Sequence, residues 1–456
     1  MKPPAPPSCP LVHSNNNATP SASSYNPTDN NGNNDNNNNN NDKINNANNE
    51  INEADLYGAC RPVKSYQKLN QIGEGAYGTV YRGVDKSTGK MVALKRVILH
   101  NEKQDGFPLT SLREIRMLKL IGRHPNCVRL EEIAVGRKRD GVFLVFEYCE
   151  HDMAHLIDHM NTRFTSSEVK NLMLQLLRGV AHLHEHWIIH RDIKMSNLLY
   201  TNTGCLKLAD FGLARLYGAP PAPMTPKVVT LWYRAPELLL GSETYDIAID
   251  MWAVGCILGE LMAYEPLLAG SNELMQLEKI FELLGSPNER IWPGVERLPH
   301  IASGMVSLRG DKYPYNTVAT RFPHLSDGGV DLMNSLLAFD PMKRLTATDA
   351  QRHIFFTEER PYPKEDSLMP TYASRHDEME AREKERARVA EGQKSSTGML
   401  LKSDFFASAP SSARGQGGGD GGGGGARRSI AVGGRGDGWP RGGRGRIVPV
   451  LKKAKP

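Results

Sequence analysis

Downstream of residue 165 the apolar positions Val169, Met173, Leu176, Val180 and Leu183 recur at spacings of four and three, which places them on one face of a helix. Thr165 and Glu168 stand just before that stripe in the order of a capping box, which satisfies the first amides of a helix. A second stripe, Leu274, Leu277, Ile280, Phe281 and Leu284, is stopped by Gly285 and Pro287. The run 247–264 is apolar almost throughout but is broken by Asp250 and Glu260, so it reads as a buried helix and not as a membrane span. Upstream the pattern changes. Residues 79–82 and 92–97 are short β-branched runs punctuated by Gly83 and Gly89, as strands are. Strands first and helices after predict an α+β architecture of two lobes, a small β-rich N-terminal lobe and a larger, mainly helical C-terminal lobe, over residues 66–356.

Composition sets the limits of that unit. The chain has 456 residues, and its first part, 1–65, is rich in Asn, with an unbroken run from Asn36 to Asn41. Such a stretch has little apolar surface to bury and is expected to be a disordered tail, a linker or an interaction segment. The C-terminal extension, 357–456, begins with a segment charged on every face, where Glu378/Arg382 and Glu380/Lys384 have the spacing of a solvated helix. It ends in a Gly/Arg-rich tail. From Arg414 on, ten basic residues face only Asp420 and Asp437, which more than accounts for the formal net charge of +5. The basic balance therefore belongs to the tail, where weak RNA contact and a soluble spacer are both open readings. Six scattered cysteines, Cys9, Cys60, Cys127, Cys149, Cys205 and Cys256, form no CxxC pair and suggest no zinc site; Cys9 and Cys60 fall in the expected tail, and the rest read as small buried residues of a reduced compartment. The N-terminus opens no apolar signal segment. A protein of the nucleus, the cytoplasm or both is expected, without a membrane span.

Two stretches carry the chemistry. His190-Arg191-Asp192-Ile193-Lys194-Met195-Ser196-Asn197 is followed, eighteen residues on from Asp192, by Asp210-Phe211-Gly212. Phosphoryl transfer from ATP needs a carboxylate near the acceptor hydroxyl, for which Asp192 is the candidate. It also needs oxygen ligands for Mg2+, for which Asn197 and Asp210 are the candidates. Gly73-Glu74-Gly75-Ala76-Tyr77-Gly78 is a GxGxxG, a pattern shared with dinucleotide folds, but there a helix must follow the third glycine. Here Thr79-Val80-Tyr81 continues as a strand, which predicts a glycine-rich turn whose amides approach phosphate oxygens. Lys95, inside an apolar strand, needs a partner. Glu114 is the candidate, on a helix whose first position suits Pro108, although Ser111 and Glu114 also have capping-box spacing. Three functions are then open: an active kinase, a scaffold that binds nucleotide without turnover, and an RNA-associated protein led by its tail. Lys95, Asp192, Asn197 and Asp210 together favour the first over the second.

At these residues the run 66–356 resembles the cyclin-dependent protein kinases. The segment 108–114 is similar to the cyclin-contacting helix of that family and lies one substitution from the PITSLRE subgroup. The activation segment, Met224-Thr225-Pro226-Lys227-Val228-Val229-Thr230-Leu231-Trp232-Tyr233-Arg234-Ala235-Pro236-Glu237, is similar as well. The resemblance implies a serine/threonine kinase of the bilobal kinase fold that uses ATP and Mg2+ and depends on a cyclin. It implies that Ile72, Val80, Ala93 and Leu199 sandwich the adenine, that backbone groups of Glu147 and Cys149 bond it in front of Phe146, and that Asp152 lies near the ribose. Residues 73–79 would cover the phosphates. Asp192 would orient the acceptor hydroxyl and take its proton while Lys194 steadies the γ-phosphate. Val229 and Arg234 would shape a pocket for proline after the target residue, giving Ser/Thr-Pro protein substrates.

Arg113, Arg191 and Arg215 stand out without the family, because the segments carrying them must converge and like charges need an anion. Phosphate on Thr225 would supply it. The family often carries adjacent Thr and Tyr in the glycine turn as inhibitory sites; Ala76 removes the first and leaves Tyr77.

Overall fold

The computed structural model describes residues 60–75, 78–97, 108–136, 141–218, 224–225, 228–308, 312–374 and 376–377. Two lobes form, as the periodicities require. In the small lobe, strands β1 (Arg61–Pro62), β2 (Tyr66–Gly75), β3 (Gly78–Asp85), β4 (Met91–Val97), β5 (Leu130–Val135) and β6 (Val142–Glu147) make one sheet in the order β1-β5-β6-β4-β3-β2. All neighbours are antiparallel except β1 and β5. Helix α1 (Leu109–Ile121) follows β4 and buries Glu114, Met117, Leu118 and Ile121.

The large lobe is built on helices. Strand β7 (His151–Asp152) leads into helix α2 (Met153–His159), which is capped by Asp152, whose side chain accepts from the His155 amide at 2.8 Å. Helix α3 (Ser166–Glu185) starts at the expected capping box: the Thr165 amide donates to Glu168 at 2.8 Å and the Glu168 amide to the Thr165 hydroxyl at 3.4 Å. Such a cap contributes about 1 kcal/mol. The whole stripe from Val169 to Leu183 is buried. Helices α4 (Pro236–Leu239), α5 (Ala248–Ala263) and α6 (Glu273–Leu284) complete the part that concerns the site. Helix α5 is the apolar run, packed around a fully buried Trp252. Among the described residues no helix is long and apolar enough to cross a membrane.

Several expectations need correction. Leu274 is exposed, since α6 turns only Leu277, Ile280, Phe281 and Leu284 of that stripe inward. Pro108 is the cap residue and not the first helical one, because its ψ of 127 keeps it extended. The folded unit starts before Tyr66: β1 is held by Arg61, which reaches Asp85 at 3.0 Å and Glu132 at 2.9 Å. It also runs on past Phe356, where residues 357–374 lie back on the large lobe. Cys60 thus belongs to the folded part, and Cys60 and Cys205 are half-buried while Cys127, Cys149 and Cys256 are buried. The Asn-rich run, Cys9, the Gly/Arg tail and with it the open reading of an RNA contact, most of the charged segment beyond Pro370, and Ala76 and Tyr77 lie outside the described residues.

Candidate active site

Lys95 sits mid-strand in β4, opposite Val80 of β3 and Leu144 of β6, so its ammonium leaves the sheet toward the other lobe. Its Nζ lies 2.7 Å from Oε1 of Glu114 and 3.4 Å from Oδ1 of Asp210. The capping-box alternative for Glu114 is excluded. Helix α1 starts at Leu109, so Ser111 is already inside it and Glu114 faces the sheet. Burial opposes the charge on Lys95, but the two carboxylates outweigh it and hold its pKa above the lysine range. Burial also pushes Glu114 up, and the ammonium draws it back only in part. Asp210 is half-buried; burial works against its charge, yet Lys95 keeps it below the usual carboxylate range.

The catalytic loop leaves strand β8 (Ile188–Ile189) and runs to β9 (Leu198–Tyr200) and β10 (Leu206–Leu208), after which Asp210 takes a left-handed conformation with φ 64. The loop is fastened from beneath by Asp250 of α5. One of its oxygens accepts the His190 amide at 2.8 Å and the other the Arg191 amide at 2.9 Å, while the His184 imidazole lies 3.0 Å away. Burial works against the Asp250 carboxylate, but these partners, His184 foremost, hold its pKa below the usual range. The backbone of Asn197 then accepts the Ala209 amide at 2.9 Å, and the His190 imidazole lies 3.2 Å from the Ala209 carbonyl. These two bonds bring the Asp192 loop and Asp210 side by side.

Both oxygens of Asp192 are engaged. Oδ2 meets the Lys194 ammonium at 2.7 Å and the Asn197 amide nitrogen at 3.1 Å, and Oδ1 accepts the Thr230 hydroxyl at 2.9 Å. Asn197 thereby turns its nitrogen to Asp192 and keeps its amide oxygen for a cation. Among the described residues no group of three or more His, Cys, Asp and Glu gathers to hold a metal. One carboxylate and one amide oxygen, completed by phosphates and water, is a donor set that suits Mg2+, so the residues present fit that ion.

These groups wall one cavity of about 830 Å3 between the lobes. Ile72, Gly73, Glu74, Gly78, Val80 and Ala93 contribute from the small lobe, with Lys95 and Glu114. Phe146, Glu147, Cys149 and Asp152 contribute from the connection, and Asp192, Lys194, Asn197, Leu199 and Asp210 from the large lobe. At Gly78 a Cβ would meet the Arg96 carbonyl at 2.1 Å, so only glycine lets β3 start this close to β4. Thr79 pairs with Glu74 and Arg96 and does not reach the wall. His376, from beyond the expected catalytic unit, does reach it.

Val229 lies on the wall with φ 65, a left-handed conformation that a β-branched residue rarely adopts. Arg234 holds it there: Nη2 donates to the Val229 carbonyl at 3.0 Å, Nε to that of Val228 at 2.8 Å, and Nη1 meets Glu273 at 2.7 Å. Of the three expected arginines, Arg191 is buried. It donates to the Leu213 carbonyl at 2.8 Å and to the Tyr245 hydroxyl at 2.9 Å, and that hydroxyl donates to the Thr225 carbonyl at 2.9 Å. Arg113 is exposed on α1, Arg215 is half-buried in β11 (Arg215–Leu216), and the Thr225 side chain is exposed. Thr230, Tyr245, Asp250 and His376 join the site without a signal in the sequence that assigns them to it. Thr230 lies in the activation segment, but nothing in the sequence links it to Asp192.

Comparison with known proteins agrees with this geometry. The protein kinase domain model matches residues 66–356. The activation segment resembles that of cyclin-dependent kinase ten, with the PITSLRE kinases second, and the relatives keep that order. Cyclin-dependent kinase 10 of Mus musculus is 55% identical over 315 residues, 69% of this chain and 86% of that protein. Cyclin-dependent kinase 10 of Homo sapiens is 54% identical over the same length and shares. Cyclin-dependent kinase 11B of Homo sapiens is 48% identical over 334 residues, 73% of this chain and 41% of that protein.

Proposed function

The chain belongs to the protein kinases, in the cyclin-dependent serine/threonine class, and from that premise we propose a proline-directed kinase that a cyclin and phosphate on Thr225 switch on. The observation that carries the reading is the Lys95 ammonium shared by Glu114 and Asp210 across the cleft. In this reading Lys95 binds the phosphates of ATP, and Asn197 and Asp210 hold Mg2+. Bound there, Mg2+ neutralises phosphate charge. The apolar residues Ile72, Val80, Ala93 and Leu199 take the adenine.

Asp192 is built to orient an acceptor hydroxyl. Three donors fix its carboxylate, and it has only to accept a proton as the oxygen attacks. Lys194, 2.7 Å away, then faces the transferred group and offsets its charge. The preference for proline follows from Val229 and Arg234. The carbonyl of Val229 is already satisfied by guanidinium, so an ordinary residue after the target would present its N–H to an acceptor turned away, whereas proline has no N–H to satisfy.

Dependence on a cyclin follows from where Glu114 sits. Helix α1 carries it inward and leaves Leu109 and Leu112 exposed outside at 67% and 48%. A partner covering those leucines would hold α1 against the sheet and keep Lys95 paired. Phosphate on Thr225 would add charge beside the segment that Tyr245 already ties to Arg191.

The test is a kinase assay on a Ser-Pro peptide with the purified chain alone and with a cyclin, beside Lys95→Met and Thr225→Ala variants. Turnover is expected only with the partner, to vanish in Lys95→Met and to fall in Thr225→Ala. Equal activity of the lone chain, or full activity of Thr225→Ala with partner bound, would overturn the switching.

A further inference from the structure

Beyond the last helix of the large lobe the chain turns back and crosses the connection between the lobes. The Lys364 amide donates to the Ser167 carbonyl at 3.0 Å, and Asn171 donates to the Lys364 carbonyl at 2.6 Å. Gly204 lies under this path with φ +81, and a Cβ there would fall 2.0 Å from the Asp366 carbonyl, so only glycine allows so close an approach. Farther on, Tyr200 donates to the Pro370 carbonyl at 2.6 Å and the Tyr372 amide to Asn202 at 3.1 Å. The same strap then reaches the small lobe. Asn70 of β2 donates to the His376 carbonyl at 3.2 Å, and Arg82 of β3 meets Asp377 at 2.5 Å. Between the lobes, Nδ1 of His376 lies 2.8 Å from the hydroxyl of Tyr148, which orients the ring.

His376 is therefore fixed from both lobes and from their connection, and its side chain lines the same cavity as Ile72, Val80, Cys149 and Asp152. Asn70 is two residues before Ile72, and Tyr148 is next to Cys149. The hydroxyl that orients the ring thus belongs to the connection beside Cys149, where the base is expected, and not to the Lys95–Asp210 pair. A flat ring with a polar edge suits a purine or a ribose there and not a phosphate.

We propose that the strap formed by residues 364–374, 376 and 377 is part of the nucleotide site, with His376 contacting the base-and-ribose side of a purine nucleotide. The inference rests on the nucleotide reading given above. Because the strap joins both lobes, opening the cleft would break the Arg82–Asp377 and Asn70–His376 links, so strap attachment and nucleotide occupancy favour each other.

The experiment titrates the full chain with a fluorescent N-methylanthraniloyl ATP and Mg2+, as the parent, as His376→Ala and as Asp377→Ala, and follows KM for ATP and kcat in the partner-bound enzyme. His376→Ala is expected to weaken nucleotide binding and raise KM about five- to tenfold, with kcat and the melting temperature of the nucleotide-free protein unchanged. Asp377→Ala, which loosens the strap without touching the ring, is expected to shift both in the same direction by less. A parent that binds and a His376→Ala variant that binds equally well or more tightly would overturn this inference while leaving the kinase reading intact. A parent that binds no nucleotide would overturn both.

Discussion

Thr230 donates its hydroxyl to Oδ1 of Asp192 at 2.9 Å and lies 3.3 Å from the Lys194 ammonium that holds the other oxygen. A residue of the activation segment is thus one of the groups that aim the Asp192 carboxylate. Thr230→Val keeps the shape and removes the donor. It is expected to lower kcat roughly ten- to a hundredfold, since small misplacement of a reacting group costs that much, while nucleotide affinity stays at the parent's value. Steady-state kinetics on a Ser-Pro peptide decide it, and an unchanged kcat would remove Thr230 from the machinery.

Glu114→Gln is nearly isosteric and removes one of the two charges facing Lys95. The ammonium retains Asp210 at 3.4 Å, so nucleotide still binds, but the lysine is drawn from its position. Turnover is expected to fall about a hundredfold, also in the presence of an added cyclin. A variant with parental turnover would show that the pair is structural only.

Val229→Gly tests the left-handed turn. Relief of φ 65 at a β-branched residue is worth about 1–3 kcal/mol, close to the burial that the lost side chain contributed, about 1.5–3 kcal/mol. Little net change in melting temperature is expected. The ratio of kcat/KM for a Ser-Pro peptide over its Ser-Ala counterpart should drop, because glycine lets the carbonyl turn toward the substrate. If the ratio holds, the preference has another origin.

His124 stacks on His182 with ring centroids 4.5 Å apart, and burial, helped by His182, pushes its pKa from 6.5 to about 4. The folded protein takes up this proton only near pH 4, while the unfolded chain takes it up from about 6.5 downward. Unfolding therefore binds a proton in between, and stability falls as pH is lowered through that window. His190, buried and held neutral, acts in the same direction. Melting temperatures at about pH 7 and about pH 5 should differ less in His124→Gln than in the parent. An equal drop in both would assign the dependence elsewhere.

Much of this was legible from residue order. The stripe from Val169 to Leu183 predicted α3 and its cap because helix period and capping are local. Strand character after Gly78 likewise separated the glycine turn from a dinucleotide site. The partners of Asp192 were half legible: Lys194 and Asn197 are near in sequence, but Thr230 is 38 residues away and only the folded activation segment brings it in. The same holds for Asp250, 60 residues from His190, which looked like an interruption in an apolar run and is the fastening of the loop. His376 was hidden for a different reason. Its neighbours in sequence are charged and polar, so periodicity read them as solvated, whereas contacts across more than 200 residues, to Tyr148 and Asn70, determine where it lies.

Asp250 has a consequence for how this enzyme can be controlled. Its helix runs through the most buried part of the large lobe, and both of its oxygens end on amides of the loop that carries Asp192. That loop cannot drift without stranding a carboxylate in the interior, which costs several kcal/mol. The backbone of the loop that carries Asp192 is thus anchored to the core, and what can change around it is the approach of the activation segment through Thr230 and Tyr245. Adjustment is left to that segment and to the opposite wall, where a lysine relies on a helix with bare leucines on its outer side. Control of this kinase acts around a fixed loop and not through it.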